Sequence, residues 1–258
     1  MKITCLIENT TENSNLKCEH GLSLFIETMG LNILFDMGQT DLFCENASKL
    51  NIDLTKTDIA ILSHGHYDHG GGLRKFIEVN KKAPIYINKN AFGSFYNGTS
   101  KYIGLDSSLI DNERFVCISD EHKINDKVFL FTLNNSRFKF NLGSFGLNKF
   151  EDDEFTPDDF KHEQYLLINE NGKRILFSGC SHKGIMDIVN IVQPDVLIGG
   201  FHFSKLPLDD KLASYASYLN NFTTVYYTCH CTGIDQYNFM KDKMHNLNYL
   251  SEGKIINI

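Results

Sequence analysis

Short apolar segments separated by turn residues predict strands in the first third of the chain. They lie at residues 3–7, 22–27, 32–36, 58–62 and 84–87. The segment 58–62 is continuously apolar, which is typical of a strand covered on both faces. Gly30-Leu31 indicates a hairpin turn between the second and third segments. Helices are predicted from Asp41 onwards and over residues 70–79.

The second half of the chain repeats this order of hairpin, then alternating strands and helices. Asn171-Gly172 is a strong two-residue hairpin signal between strands at 164–169 and 174–178. The segments that follow predict a helix at 184–192, a strand at 196–198, a helix at 209–220 and a strand at 224–227. No repeat of high identity accompanies this recurrence. The pattern therefore suggests two similar sheet-plus-helix halves that face each other.

Residues from about 90 to 160 are less regular, with Gly, Asn, Ser and Asp throughout. Strands are predicted at 114–118, 128–133 and 137–141, and the acidic run 151–154 is predicted to be a solvated loop. We interpret residues 1–258 as a single domain in which about 90–160 form an elaboration across the mouth of a site.

Composition excludes several classes of protein. Hydrophobic residues make up 42% of the 258 residues and charged residues 22%, as is ordinary for a globular chain. The net charge of -7 and the lack of a dense Lys/Arg run argue against nucleic-acid binding. We find no signal-peptide pattern and no apolar run near 18 residues, so we expect a cytoplasmic protein without a membrane partner. Seven irregularly spaced cysteines also suit a reducing compartment.

The segment 63–71 carries the chemistry. It places His64, His66, Asp68 and His69 within six positions, directly after a buried strand. Imidazole and carboxylate are ligands that zinc, iron and manganese accept. A turn leaving a strand can aim alternate side chains at two neighbouring points, so the four residues suit one or two divalent ions. Zinc is the metal we favour. The pattern arises by chance in roughly one chain in a thousand of this length, so we disfavour a solvated loop that is merely rich in histidine.

These residues resemble the metallo-β-lactamase superfamily, whose signature is His-x-His-x-Asp-His. Asp36-Met37-Gly38 is similar to the Asp-x-Gly that this superfamily has one strand earlier. The segments 19–23, 178–182, 199–202 and 230–233 resemble a subgroup labelled by similarity to a dihydropterin/ribofuranosyl-aminobenzene-phosphate synthase of methanopterin synthesis. The resemblance covers nearly the whole chain and implies an α/β fold, a four-layer αβ/βα sandwich of two packed sheets with helices outside.

The resemblance also implies a set of metal ligands. His64 and His66 begin site one, Asp68 and His69 begin site two, and His230 completes site two. The third ligand of site one has two candidates. His182 is favoured because it belongs to the subgroup's Gly-Cys-Ser-His run, but His162 precedes a strand where many superfamily members place this histidine.

One position departs from the better understood hydrolases of the superfamily. Where they carry a bridging aspartate, this chain has Cys180. A thiolate there could bind or bridge metal, or the residue could stand aside as a small side chain. Cys229 and Cys231 flank His230 and are expected to point away from it as non-ligands. His202, in a glycine-rich loop, is a candidate for substrate contact or proton transfer, with an ordinary surface histidine as the alternative.

The function that follows is that of a metal-dependent hydrolase. It would use an activated water on a small ester, phosphoester or related substrate, and metal charge would allow that substrate to be anionic. Asp68 would orient the nucleophile as well as bind metal. The alternatives are a pterin-related synthase or lyase using the same site, and an iron-binding redox or sensor protein. The sequence leaves monomer and homo-oligomer open.

Overall fold

The computed structural model describes residues 1–140 and 142–258. In chain order the strands are β1 (Lys2–Ile7), β2 (Ser23–Thr28), β3 (Leu31–Phe35), β4 (Ile59–Ile61), β5 (Ile85–Asn88), β6 (Ser94–Asn97), β7 (Lys101–Tyr102), β8 (Phe115–Ile118), β9 (Glu121–Lys123), β10 (Val128–Phe131), β11 (Leu147–Glu151), β12 (Glu154–Pro157), β13 (Tyr165–Glu170), β14 (Lys173–Ser178), β15 (Val196–Gly199), β16 (Val225–Thr228), β17 (Leu247–Tyr249) and β18 (Ile255–Asn257). The helices are α1 (Leu42–Lys49), α2 (Tyr67–Gly70), α3 (Leu73–Val79), α4 (Ile185–Val192), α5 (Asp210–Leu219) and α6 (Ile234–Lys241).

Two seven-stranded sheets form the centre of the fold. The first has the strand order β18-β1-β2-β3-β4-β5-β8, and the second has the order β17-β16-β15-β14-β13-β10-β9. In each sheet an antiparallel hairpin leads into parallel strands, β2–β3 into β4 and β13–β14 into β15. This is the recurrence that the sequence predicts for the two halves.

Alternating apolar positions divide the molecule into four layers. Ile175 and Phe177 of β14 point into a core between the two sheets, which Ile33 and Phe35 of β3 also line. Leu176, between the first two, packs instead with α4, α5 and α6 on the outer face of the second sheet. On the outer face of the first sheet, α1 and α3 cover a third core. Because strand side chains alternate in direction, the apolar strands bury both faces, and the predicted αβ/βα sandwich is confirmed.

The irregular region divides between the main sheets and a small third sheet. Strands β6, β7, β11 and β12 form a separate four-stranded sheet, whereas β8 joins the first main sheet and β9 and β10 join the second. The separate sheet lies beside the histidine-rich loop, since the ring centroid of Phe95 on β6 is 5.7 Å from that of His66. Residues 90–160 therefore supply strands to both main sheets as well as to the separate sheet, and the single domain with an elaboration in this region remains our proposal.

Several local predictions need correction. Residues 137–140 are not a strand, and Asn141, the last residue of that prediction, lies outside the described residues. The first hairpin turns at Met29-Gly30, one residue earlier than predicted. The acidic run is exposed as predicted, but it is a hairpin tip, with Glu151 ending β11 and Glu154 beginning β12. Within the described residues, no helix has the length and apolar character needed to cross a membrane.

Candidate metal centre

The ends of three strands from both sheets meet at one edge of the sandwich. Strands β14, β15 and β16 are parallel, so their carboxyl ends lie together. The predicted ligands follow such ends: His64, His66, Asp68 and His69 after β4, Cys180 and His182 after β14, and His230 after β16. The structure therefore gathers residues that are up to 166 positions apart in the sequence.

The first group consists of His64, His66 and His182. One nitrogen of each ring lies within 4.8 Å of the others, and all three residues are buried. His64 Nε2 and His182 Nε2 are 3.2 Å apart. His66 Nε2 has no hydrogen-bond partner among the described residues, and its nearest carboxylate, Asp158 Oδ2, is 3.7 Å away. A buried ring nitrogen without a partner is a feature that a bound cation explains.

The second group consists of Asp68, His69 and His230. The Nε2 atoms of His69 and His230 are 3.2 Å apart, and Asp68 Oδ2 is 3.3 Å from His230 Nε2 and 3.9 Å from His69 Nε2. Cys180 Sγ lies 3.2 Å from His69 Nε2. The rings of His64 and His69 are 4.1 Å apart between centroids, so the two groups are neighbours.

Asp36 and Ser63 orient two of these imidazoles. Asp36 Oδ2 is 2.7 Å from His69 Nδ1 and accepts from Ser63 Oγ at 2.7 Å, while Asp36 Oδ1 accepts from the Ser63 backbone N–H at 2.7 Å. Ser63 Oγ in turn lies 2.8 Å from His64 Nδ1. Since its own proton goes to Asp36, it accepts the proton on His64 Nδ1. Both histidines therefore protonate Nδ1 toward these partners and turn Nε2 toward the centre, as metal-binding histidines usually do.

Glu8 and Asn9, just beyond the end of β1, hold His230. Its backbone N–H donates to Glu8 Oε1 at 2.6 Å, and its Nδ1 lies 2.8 Å from Asn9 Oδ1. The backbone of His230 has a φ of +49°, a left-handed conformation that these contacts support. Sequence reasoning missed Glu8 and Asn9, because their partner lies more than 220 residues away.

Charge and burial set the protonation of the two groups differently. Burial lowers the pKa of His64 and His182 well below the usual value, and lowers the pKa of His66 to about 4. Burial alone would also lower the pKa of His69, but the charges of Asp36 and Asp68 outweigh it and raise that pKa to about 9. The first group is therefore neutral and ready for metal at pH 7, whereas a proton competes for His69 Nε2.

The donor set fits a divalent ion. With Nδ1 of His69 and His230 committed to acceptors, their Nε2 atoms face each other as acceptors beside the Asp68 carboxylate, and only a proton or a cation relieves that repulsion. Imidazole nitrogen and carboxylate oxygen, with the Cys180 thiol beside His69, suit zinc and also accept iron or manganese.

His162, the alternative to His182, occupies a different place. Its Nδ1 accepts from the Gly65 backbone N–H at 2.9 Å, and its Nε2 lies 3.0 Å from Asp158 Oδ2. Both ring nitrogens are thus engaged, and the side chain supports the loop on which His64 and His66 lie. No sequence signal distinguishes this supporting role from that of a ligand.

The three cysteines near the centre differ in position. Cys229 points into the core between the sheets, as expected of a residue directed away from His230. Cys231 does not point away: its Sγ lies within 4.8 Å of Cys180 Sγ and a ring nitrogen of His230, and it is 3.5 Å from the Cys180 carbonyl oxygen. The predicted orientation is therefore wrong for Cys231.

Comparison with known proteins agrees with this geometry. Residues 16–220 match the family model of the metallo-β-lactamase superfamily. The chain belongs to this superfamily.

Two curated proteins are similar to this chain over nearly their whole length. An uncharacterized protein of Methanocaldococcus jannaschii is 29% identical, covering 99% of this chain and 100% of its own. The 7,8-dihydropterin-6-methyl-4-(β-D-ribofuranosyl)-aminobenzene-5'-phosphate synthase of the same organism is 29% identical, covering 95% of this chain and 92% of its own.

Solved structures share the metallo-β-lactamase fold. A crystal structure described as a metal-dependent hydrolase of the β-lactamase superfamily has a TM-score of 0.86 and 27% identity, and covers 100% of this chain and 99% of its own. Zn²⁺-bound PqqB from Methylobacterium extorquens has a TM-score of 0.62 at 10% identity, with 100% of both chains covered. The latter likeness concerns the fold alone.

An open cleft of about 590 Å³ extends to the first group of histidines. Phe138, Phe140 and Phe160 give it apolar walls, and His182 of the first group also lines it. His202 is half-buried, with its ring centroid 4.3 Å from that of His182. The structure thus brings His202 to the centre rather than leaving it on a remote surface loop.

Proposed function

We propose that the chain is a metal-dependent hydrolase acting on a small ester, phosphoester or related substrate. The observation that carries this proposal is a chain of three hydrogen bonds: His64 Nδ1 to Ser63 Oγ, Ser63 Oγ to Asp36, and His69 Nδ1 to Asp36. These bonds turn the Nε2 atoms of both histidines to one centre. A set of buried imidazoles arranged in this way has no use in packing alone. The match to the superfamily and the similar structure described as a metal-dependent hydrolase support the same reaction class.

Each group of residues has a distinct proposed role. His64, His66 and His182 would hold one ion, and Asp68, His69 and His230 a second, with Cys180 beside it. A divalent ion bound there supplies a Lewis acid and lowers the pKa of water, so that hydroxide is available near neutral pH.

The chain's own residues would position the reactants. The Asp68 carboxylate, which faces both His69 and His230, would orient the attacking water. His202, beside His182, would contact the substrate or pass a proton to the leaving group. The cleft of about 590 Å³ has the size typical of small-molecule sites, and its apolar walls would exclude water from part of the substrate.

Chelation followed by reconstitution tests the proposal. We expect hydrolysis of nitrophenyl esters or phosphodiesters that is lost with a strong chelator and restored by zinc or manganese. His64→Ala should abolish it, whereas His122→Ala should not, because that ring lies on β9 against Tyr86. Turnover that persists after complete chelation would overturn the proposal.

A pterin-related synthase is the second candidate. It is favoured by the 29% identical synthase of Methanocaldococcus jannaschii, which spans nearly the same length. Incubating the metal-loaded protein with a pterin and a phosphorylated ribosyl compound separates the two candidates. A condensed product would favour the synthase, whereas hydrolysis without condensation would favour the hydrolase.

A further inference from the structure

His20 lies at the edge of the second group, on the loop between β1 and β2. Its Nε2 is 3.2 Å from Asp68 Oδ2, and 55% of its side chain is exposed. Its ring centroid is 4.8 Å from that of His230. Together His20, Asp68 and His230 offer three atoms within 4.8 Å of one another. Distance alone would therefore make His20 an additional metal ligand.

The side chain of Asn9 determines the protonation of both histidines, and the backbone determines the orientation of Asn9. The Gly21 backbone N–H donates to Asn9 Oδ1 at 3.2 Å. Because a backbone N–H only donates, the atom that receives it is the amide oxygen. The same oxygen lies 2.8 Å from His230 Nδ1. His230 therefore carries its proton on Nδ1 and offers an unprotonated Nε2.

The other end of the Asn9 amide imposes the opposite arrangement on His20. Asn9 Nδ2 lies 3.3 Å from His20 Nδ1. An amide nitrogen only donates, so His20 Nδ1 accepts and the neutral ring carries its proton on Nε2. That Nε2–H points at Asp68 Oδ2, 3.2 Å away. A ring nitrogen that carries a proton has no lone pair with which to bind a metal ion.

We propose that His20 is a positioning residue and not a metal ligand. Its Nε2–H holds the Asp68 carboxylate toward His69 and His230. Asn9 fixes the tautomers of two neighbouring rings, so that His20 is a hydrogen-bond donor and His230 is a metal ligand. The inference rests on the proposed function in one respect, that Asp68 binds metal.

The loop that carries His20 is fixed independently of these contacts. Glu19 Oε1 accepts from the backbone N–H groups of Gln39 and Thr40 at 2.9 and 3.0 Å. The Leu22 backbone N–H donates to the Asp68 carbonyl at 3.2 Å. The donor is therefore held in place before any ion arrives, so the carboxylate is oriented in advance.

The tautomers can be measured directly by long-range ¹H–¹⁵N NMR on full-length, metal-free protein labelled with ¹⁵N-histidine. We expect His20 in the Nε2–H form and His230 in the Nδ1–H form. An Nδ1–H tautomer for His20 would overturn the proposal. This measurement needs no bound metal, so its result is independent of whether the proposed hydrolase function holds.

Cobalt titration then distinguishes positioning from ligation. His20→Ala should weaken binding of the second Co²⁺ by about 10- to 100-fold, and His20→Gln, whose amide can still donate to Asp68, should recover part of that loss. The visible spectrum of the fully loaded His20→Ala protein should match the wild type, because no ligand is removed. A changed spectrum, or unchanged affinity in His20→Ala, would refute the assignment. A wild-type chain that binds no cobalt would refute the proposed function instead.

Discussion

Replacing Asp36 by asparagine should disable the second group while leaving most of the first intact. The two oxygens of Asp36 receive three donors: the backbone N–H and hydroxyl of Ser63, and Nδ1–H of His69. Asparagine keeps one acceptor oxygen and adds an NH₂ group, which must face at least one of these donors. If it faces His69, the ring is driven to protonate Nε2, the atom turned toward His230. The Ser63 hydroxyl then also loses its acceptor on residue 36, but its oxygen can still accept from His64 Nδ1, 2.8 Å away.

The magnitudes follow from burial. Asp36 and His69 are both fully buried, so a donor left unpaired costs about 1–3 kcal/mol, and losing a charge-assisted bond costs about 1.5–3 kcal/mol. We expect Asp36→Asn to lose about 2–3 kcal/mol in the free energy of unfolding. Its Kd for the second ion should rise about 10- to 100-fold, as is usual when a partner behind a metal-bound histidine is lost.

Metal titration calorimetry and urea unfolding measure both effects. Asp58→Asn is the matched control, because Asp58 accepts from the Asn32 backbone N–H at 2.9 Å and lies outside the centre. The control should bind two ions with wild-type affinity. If Asp36→Asn also bound both ions with wild-type affinity, Asp36 would not orient the centre and the reasoning would be refuted.

Three further predictions concern pH and packing. Because the pKa of His69 is raised to about 9, the Kd of the second ion should fall about tenfold per pH unit from about pH 6 to 9. The pKa of His66 is lowered to about 4, so the Kd of the first ion should change little over this range. Titrations that show equal pH dependence for the two ions would contradict this. Burial raises the pKa of Glu252 to about 8, above its unfolded value, so the folded state loses stability as pH rises through the window between about 4.5 and 8. Glu252→Gln should therefore stabilise the chain near pH 8 but not near pH 5 in denaturant unfolding, and an equal effect at both would count against it. In Gly21→Ala the new Cβ would lie 2.5 Å from the Asp68 carbonyl oxygen, so the second ion should bind more weakly in calorimetry. Wild-type affinity would show instead that the loop moves to relieve the clash without disturbing Asp68.

Local signals account for the parts of the fold that the sequence predicts well. The hairpin at Asn171-Gly172 and the continuously apolar strand before His64 each depend on a few adjacent residues. The grouping of His64, His66, Asp68 and His69 is likewise compact in sequence. The family signature then extends this information to His182 and His230, which no local pattern connects to the loop.

Long-range contacts account for what was missed. The donor behind His69 is Asp36, 33 residues earlier, and the partner of His230 is Asn9 at the other end of the chain. Neither role follows from residue type, because an isolated Asp or Asn has many uses. The structure adds the tautomers, and with them the distinction between a ligand and a supporting side chain.

The third sheet illustrates the same limit for the fold. Strands β6 and β12 contain exposed or half-exposed positions, and β6 pairs with β11, about 50 residues later in the chain, as well as with its neighbour β7. Exposed aromatic residues such as Phe155 pack on one another across this sheet, for example against Phe150 with centroids 4.8 Å apart. Because buried and exposed positions do not alternate along these strands, the pattern of apolar and polar residues does not predict them.

The central claim is that the chain holds metal on the clustered histidines, and elemental analysis tests it most directly. Protein purified without added metal would be measured beside His64→Ala and Cys180→Ala, with His122→Ala as the control. We predict about two zinc, manganese or iron ions per chain in the wild type and the control, as in binuclear hydrolases, and a clear loss in His64→Ala. A Cys180→Ala protein that loses metal would make the thiol a ligand. No metal in the wild type, and none taken up on titration, would contradict the account.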